Sequence, residues 1–404
     1  MSNLSLILFI ISAFIINATA SANKTHCDGE RMTLLEANNE NIACAVLIDD
    51  ELIFPRNIVA RKNQIWLIDK GSNLFVNGKK KGALYRYEKL LGGYLRTQIL
   101  NNLDDPNDIS IRRHSDGQDW VYFTTRDKVQ RIPASLDESS PIKPETVIDN
   151  LSTYGWHKLV AIHITQNALY LTVPSASDHC EIQGIPRLVE YPCGEEQRGT
   201  ALIREYTFSN DTLSETFSIT ARGLRDPLAV QTSLDGKSII AADNGWDQVD
   251  FSDTEYEYSS TPHDEINIID LTQEKHFGWP YCFDNDAITP PYTRFIKSCE
   301  QYQAPTILLD AHSAPLNMMY FHHELLVNLH GNNQAGGKTV SFKIDENGLP
   351  LPTPEVKLNW HYNGHAKNAL IGRPFGLSET STNELLLTDD WNHQLIKVVF
   401  KSPK

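Results

Sequence analysis

The chain lacks the features that would place it in several common functional classes. Concentrated positive charge is missing: 36 Lys and Arg stand against 51 Asp and Glu, a formal net charge of −15. No basic run exceeds Lys79-Lys80-Lys81. A nucleic-acid partner needs a basic face to neutralise phosphates, so that class is excluded. The same acidity opposes binding to anionic lipid. No glycine-rich loop sits between a strand and a helix, which removes nicotinamide and flavin dinucleotides as cofactors. There is no CxxC pair, and the intervals among the six cysteines do not suit a zinc ribbon. Helical periodicity is scarce, because Pro, Gly, Asn and Asp interrupt the chain every few residues. The one long apolar run, Leu4 to Ile16, is too short to span a bilayer comfortably.

That run belongs to an N-terminus reading "MSNLSLILFIISAFIINATASANK". Ala18-Thr19-Ala20 and Ala20-Ser21-Ala22 follow it, small-x-small patterns that suit signal peptidase. The expectation is a cleaved signal peptide over 1–20 and an exported protein, periplasmic or secreted, with 21–404 as a single domain. An uncleaved membrane anchor is the alternative. The cysteines fall into neighbouring pairs, which predicts structural disulfides Cys27–Cys44, Cys180–Cys193 and Cys282–Cys299. Each would contribute about 2–4 kcal/mol. Asn150-Leu151-Ser152 and Asn210-Asp211-Thr212 match the glycan-acceptor pattern, which a glycosylating host alone would use.

What the chain has in abundance is a repeated phrase: a short apolar stretch, a polar turn, a β-rich stretch, then a second β-rich stretch. It occurs as "PRNIVARKNQIWLID" with "GALYRY", "PNDISIRRHSDGQDWVYFTT" with "KVQRI", and "HKLVAIHITQNALYLTV" with "ALIREYTF". It returns as "DPLAVQTSLDGKSIIAADNG" with "DEINIIDL", "APLNMMYFHHELLVNLHG" with "KTVSFKI", and "RPFGLSETSTNELLLTDDWN" with "QLIKVVF". Six copies predict an all-β chain, a six-bladed β-propeller of four-stranded antiparallel blades. A barrel or tandem sandwiches would not repeat this order six times. "AVLIDDE" lacks a copy of its own and is predicted to supply the strand that closes the ring.

A propeller gathers corresponding loops at one end of its axis. Residues that open or end the phrases therefore become candidates for one site: His157, Arg225, Asp226, Asp243-Asn244-Gly245, His312, His330-Gly331, Arg373 and Asp389-Asp390. The series "W-H", "GLRDP", "ADNG", "PHDEINIIDL", "HFGWPYC", "AHSAPL", "LLVNLHG" and "GRPFGL" resembles the soluble quinoprotein sugar dehydrogenases, nearest to their sorbosone-dehydrogenase-like branch. The resemblance spans roughly residues 50 to 400 and is most specific in "DEIN…HFGWPYC" followed by "HSAPL". It implies a six-bladed propeller holding pyrroloquinoline quinone and Ca2+, oxidation of a sugar hydroxyl or aldehyde, and an external electron acceptor, a quinone or redox protein.

The resemblance also implies residue roles. His157 would be the general base, as an imidazole with a pKa near working pH suits that task; a histidine merely hydrogen-bonded at a blade edge is the alternative. Arg225 would grip a cofactor carboxylate, unless it is committed to an ion pair with Asp226 or another carboxylate. Asp226, Asn244, Trp279, His330 and Arg373 complete the expected cofactor contacts, with Trp279 either facing the flat ring or serving as core. The backbone carbonyls of Gly245 and Trp246 would ligate Ca2+. Asp264, Glu265 and Asn267 are expected to lock blades together.

Three features depart from the family: Val160 where an Arg is usual, "PSASDHC" in place of a Gly-rich turn, and "PNDI" over Pro106 to Ile109. They border the expected substrate pocket. Two other readings stay open: a non-catalytic propeller that binds a glycan or protein, and a Ca2+-dependent propeller lactonase built on Asp69, Asp243 and Asp389.

Overall fold

The computed structural model describes residues 32–36, 42–71, 81–136, 141–152, 155–182, 188–246, 260–331, 335–359, 372–380 and 384–400. The expected signal peptide and the Cys27–Cys44 bridge lie outside the described residues. Among these residues the chain is all β apart from one 3-10 turn, Pro290–Tyr292. Six blades follow one another in sequence order, each meeting the next through its innermost strand, and the sixth meets the first; Met32–Glu36 joins the outer edges of the last two into one nine-stranded sheet. This is the six-bladed propeller.

Blade 1 comprises Pro55–Arg61, Gln64–Asp69, Gly82–Leu90 and Gly93–Leu103, inner to outer. Blade 2 comprises Ile109–Arg113, Asp119–Thr125, Lys128–Pro133 and Glu145–Ile148. Blade 3 uses Ile162–Ile164, Ala168–Val173, Leu202–Ser209 and Ser218–Arg222, and blade 4 uses Pro227–Thr232, Ser238–Asp243, Asp264–Asp270 and Ile307–Leu309. Blade 5 is Pro315–Phe321, Glu324–Leu329, Lys338–Ile344 and Pro350–Asn359. Blade 6 takes three strands from the C-terminus, Pro374–Glu379, Leu385–Asp389 and Gln394–Phe400. Its outer strand comes from the other end of the chain: Ile42–Asp49 pairs antiparallel with Gln394–Phe400, Ala43 opposite Phe400. The stretch predicted to close the ring does so.

The apolar patterns follow from this stacking. A blade is covered on both faces, so its second strand is buried on both sides and reads as a nearly continuous apolar run. Thus Ile65 to Ile68, Val121 to Phe123, Leu169 to Leu171, Ile239 to Ala242, Leu325 to Val327 and Leu385 to Leu387 are all buried. Between adjacent blades lie six separate apolar cores, one per junction. At the closing junction the inner strands come so close that a side chain on Gly376 would meet Arg56 O at 2.8 Å. A glycine is required there by the approach of backbone to backbone.

Two insertions leave this frame, and each carries a disulfide. Cys180–Cys193 ties the segment between the second and third strands of blade 3, and Cys282–Cys299 ties the segment between the third and fourth strands of blade 4. The two pack on each other. Tyr292 Oη lies 2.8 Å from His179 O, the Cys193 amide donates to Tyr281 Oη at 2.8 Å, and Tyr281 and Tyr292 meet edge to face.

Candidate active site at the propeller mouth

Inner strands begin, and second strands end, at the same end of the molecule. Pro55 pairs with Asp69, Pro227 with Asp243, and Pro374 with Asp389. Proline suits the first position of such a strand because its missing N–H is not needed by the ladder. The aspartate then caps amides of the turn that leads in. Asp69 accepts from Ile53 and Phe54, Asp243 from Arg225 and Asp226, and Asp389 from Arg373, Trp391 and Asn392. Each of these carboxylates caps the turn that leads into the inner strand of its own blade.

On the axis, Leu228, Leu316 and Phe375, each the second residue of the inner strand of blade 4, 5 or 6, form an apolar floor with Leu159, which precedes the inner strand of blade 3. Below it the inner strands enclose a channel of about 180 Å³. Above it stand two clusters of charged groups.

The first cluster belongs to blades 3 and 4. Asp178 is its centre: Oδ1 lies 3.2 Å from His157 Nε2 and accepts from Arg225 Nε at 3.1 Å, with Arg225 Nη2 also donating to it. Arg225 Nη1 donates to Asn244 O at 3.0 Å, and the Trp279 indole N–H donates to Asp178 O at 2.8 Å. His157 Nδ1 sits 3.0 Å from Ser175 O, whose own amide donates to Arg225 O. Burial pushes the Asp178 carboxyl up, but Arg225 and His157 override it and hold the group far below the usual carboxylate range. A lone buried charge here would be costly; three partners make it tolerable.

The second cluster joins blades 5, 6 and 1. Asp390, fully buried, pairs with Arg56 at 3.1 Å and with His330 Nε2 at 2.9 Å. Arg373 Nη2 donates to His330 Nδ1 at 2.9 Å. That contact needs a bare nitrogen, so His330 is the neutral Nε2–H tautomer, and burial does lower its pKa. Arg56 also lies over the Phe54 and Phe375 rings, 4.4 Å from each. Next to it Lys70 is buried and paired with Asp105 at 3.5 Å. Burial, then the Arg56 charge, pull the Lys70 pKa down to about 8, and burial brings Arg56 to about 10. Arg56, Lys70 and Arg373 thus crowd into one wall of the mouth, with Asp69, Asp105, Asp389 and Asp390 among them.

The predicted residues therefore come together in two groups. His157, Arg225, Asn244 and Trp279 share one; His330 and Arg373 share the other. Arg225 is ion-paired with Asp178 rather than with its neighbour Asp226, whose backbone carbonyl accepts from Asn244 Nδ2 at 2.8 Å. Trp279 is 4% exposed and packs on the Cys180–Cys193 bridge. Gly245 donates to Asp264 Oδ1, while Asp264 Oδ2 accepts from Ser313 and Ala314 at the start of blade 5, so Asp264 does lock two blades. Asn267 instead donates to Glu265 within its own strand. Glu265 stands against Asp243 across the ladder, and burial with that neighbour raises its pKa well above the ordinary value.

Sequence reasoning missed Asp178, Arg56 and Lys70. Asp178 lies inside "PSASDHC", the turn that departs from the family pattern, and an acid within a disulfide-tied insertion was the available signal. Arg56 follows the proline of "PRNI" where Arg373 precedes that of "RPFG", so the two copies hide their common role.

The site's fit to an acidic, planar cofactor can be tested on unmatched groups. Among the described residues, Asn244 Oδ1 and Trp246 Nε1 are buried without a hydrogen-bond partner, on either side of Gly245. Buried polar atoms are seldom left so. With the apolar floor and the arginines, they suit a flat ligand bearing anionic oxygens and a cation at the adjacent carbonyls.

A family model described as TrAA12-like matches residues 44–399. No curated protein matches the chain in sequence. Among solved structures, the calcium structure of Trichoderma reesei Carbohydrate-Active Enzymes Family AA12 superposes with a TM-score of 0.72 at 16% identity, covering 91% of this chain and 97% of that one. The holo form of the pyranose dehydrogenase PQQ domain from Coprinopsis cinerea gives 0.68 at 18%, covering 91% and 97%. The soluble aldose sugar dehydrogenase of Escherichia coli, in the apo form, gives 0.57 at 11%, covering 89% and 100%. At these identities the superpositions establish the shared propeller. The family match, which spans nearly the whole described chain, establishes more: the chain belongs to the TrAA12-like family.

Proposed function

We propose that the chain is an exported quinoprotein dehydrogenase that oxidises an aldose or a related sugar aldehyde or alcohol, sorbosone-like sugars included. The observation that carries this reading is the pairing of the His157–Asp178–Arg225 array with the Arg56–His330–Arg373 wall above one apolar floor. The family, and the sugar-oxidising relatives that share its propeller, support it. Pyrroloquinoline quinone would supply the hydride acceptor, with Ca2+ to orient and polarise it.

The chain's own residues do the rest. Arg225 and Arg373, with Arg56 and Lys70 behind them, offer cations to the cofactor's carboxylates. Asn244 and the Trp246 indole offer the two unmatched polar atoms, and the carbonyls of Gly245 and Trp246 would ligate the cation. Asp226, Trp279 and His330 keep these groups in place: Asp226 holds Asn244, Trp279 holds Asp178, and His330 holds Arg373. His157 takes the substrate's hydroxyl proton. Its ring is surrounded by oxygens that accept, so a proton it gains is stabilised by Asp178. To reach a substrate, one ring nitrogen exchanges its present oxygen for the substrate hydroxyl. Electrons leave to an acceptor outside the chain. Export is supported by two disulfides, which persist in oxidising compartments, and is in keeping with the leader pattern of residues 1–20.

The test begins with uptake: purified protein is titrated with pyrroloquinoline quinone and Ca2+ while the visible spectrum is recorded, then offered a panel of aldoses with a dye acceptor. Binding should saturate and at least one sugar should reduce the dye. His157→Ala should keep uptake and lose about 10²–10⁴ in rate. A protein that takes up no cofactor is not a quinoprotein, whatever its fold.

A further inference from the structure

Among the described residues, two tryptophans stand exposed at the mouth of the propeller. Trp156 is 72% exposed and Trp391 is 47% exposed, whereas Trp66, Trp246 and Trp279 are buried. Each exposed indole is the chain neighbour of a mouth residue: Trp156 precedes His157, and Trp391 follows Asp390. Blades 3 and 6, to which they belong, stand opposite each other in a ring of six.

Neither residue is on a loose loop. The Trp156 amide donates to Ala176 O at 2.8 Å. Gly155 before it has φ of +95°, and a side chain there would run into Ala176 O at 2.1 Å. Only glycine fits at that close approach. Asp389 Oδ1 accepts from the amides of both Trp391 and Asn392 at 3.0 Å, fixing the second turn. Single exposed apolar side chains are ordinary on protein surfaces, but an indole at the mouth on a hydrogen-bonded backbone is a distinct arrangement. It is a favourable one for binding, since little ordering remains to be lost on contact.

We infer that Trp156 and Trp391 are stacking platforms for sugar rings flanking the reacting one, so that the mouth takes an oligosaccharide rather than a lone monosaccharide. The C–H face of a pyranose is apolar and flat, and an indole is the side chain best matched to it in area and stiffness. A single sugar seated over the floor beside His157 cannot also cover indoles on opposite sides of the ring; a chain of sugars can reach beyond the cup to at least one of them. The inference rests on the sugar-oxidising reading above and specifies its substrate class.

Saccharide binding is measured by tryptophan fluorescence and calorimetry on the cofactor-loaded protein and, in parallel, on protein without added cofactor. Cello-, malto- and manno-oligosaccharides of one to six units are the probes. Affinity should rise with chain length in at least one series. Trp156→Ala or Trp391→Ala should lower oligosaccharide affinity by about 3- to 10-fold, the stacking contribution of one aromatic face, and leave monosaccharide affinity unchanged. Equal affinities at every length in all three series overturn the inference. So does a pair of alanine variants that bind oligosaccharides like the wild type, including the case where they lose only reduction of a protein acceptor. Failure here is separable from failure of the quinoprotein reading: a chain that takes up the cofactor and oxidises monosaccharides without length dependence sinks this inference alone.

Discussion

At the scale of single residues, the mouth is governed by which charges are left close together. Lys70 is the most telling. Its side chain is 1% exposed, with Arg56 nearby and Asp105 as its ion-pair partner among the described residues. The sign of its effect on stability follows from the direction of the shift. The folded pKa, about 8, is below the unfolded value of 10.5, so the folded state disfavours the charged form. That penalty is fully present below pH 8 and is relieved as pH rises toward 10.5. Lys70→Met should therefore raise the stability of ligand-free protein at pH 7 by about 1–3 kcal/mol and flatten the gain between pH 8 and 10. Thermal melts of both proteins at pH 7 and pH 10 read this directly, and a variant that melts lower at pH 7 would refute it. The same substitution should weaken binding of a polycarboxylate. Residue identities at this scale were legible only in part. "GLRDP" and "ADNG" marked Arg225 and Asn244 because they flank a strand in a repeated phrase. Asp178 follows no such phrase, and its role comes entirely from where the insertion returns it.

At the scale of elements, the second strands were readable because burial on both faces writes an uninterrupted apolar run into the sequence. The inner strand of blade 3 was less so. "HKLVAIHIT" suggests a strand beginning near His157, but pairing covers only Ile162–Ile164. Side chains take over at its start: the Ala161 amide donates to Thr172 Oγ1 and the Ile162 amide to Asp108 Oδ2, while Ala161 O still accepts from the Thr172 amide. Lys158 to Val160 lie ahead of the paired residues, and His157 turns over the floor. The insertions are the other decisive elements. The Cys180–Cys193 segment carries Asp178, and Tyr281, Tyr292 and Trp279 from the Cys282–Cys299 region hold that segment down. Replacing Cys180 and Cys193 together with Ser should cost about 2–4 kcal/mol by widening the unfolded ensemble. It should also lower affinity for the cofactor more than Cys282→Ser with Cys299→Ser does, since the first bridge is adjacent to Asp178. Equal losses of cofactor affinity from the two double variants would mean that the bridges serve stability alone.

At the scale of the whole molecule, the ring is held shut by a strand from the other end of the chain. Ala43 and Ala45 of Ile42–Asp49 lie in the apolar core between blades 5 and 6. Ala45→Arg would force a guanidinium into that core, at a cost of about 3 kcal/mol or more. Urea unfolding should show the loss, and limited proteolysis should find blade 6 before blade 3; cleavage distributed as in the wild type would argue against closure as the weak point. What the sequence determined by itself was everything with a local signature: the all-β class, the six-fold repeat, the closing strand and two cysteine pairs. These follow from turn chemistry, periodicity and short separations, which act between near neighbours along the chain. Only the tertiary structure decided which charges meet. Arg56 and Asp390 lie 334 residues apart, and Asp178 meets Arg225 across 47, because blades pack side by side and their mouths share one axis. Pairings of that kind are selected by the geometry of ring closure, and no pattern within a single blade specifies them.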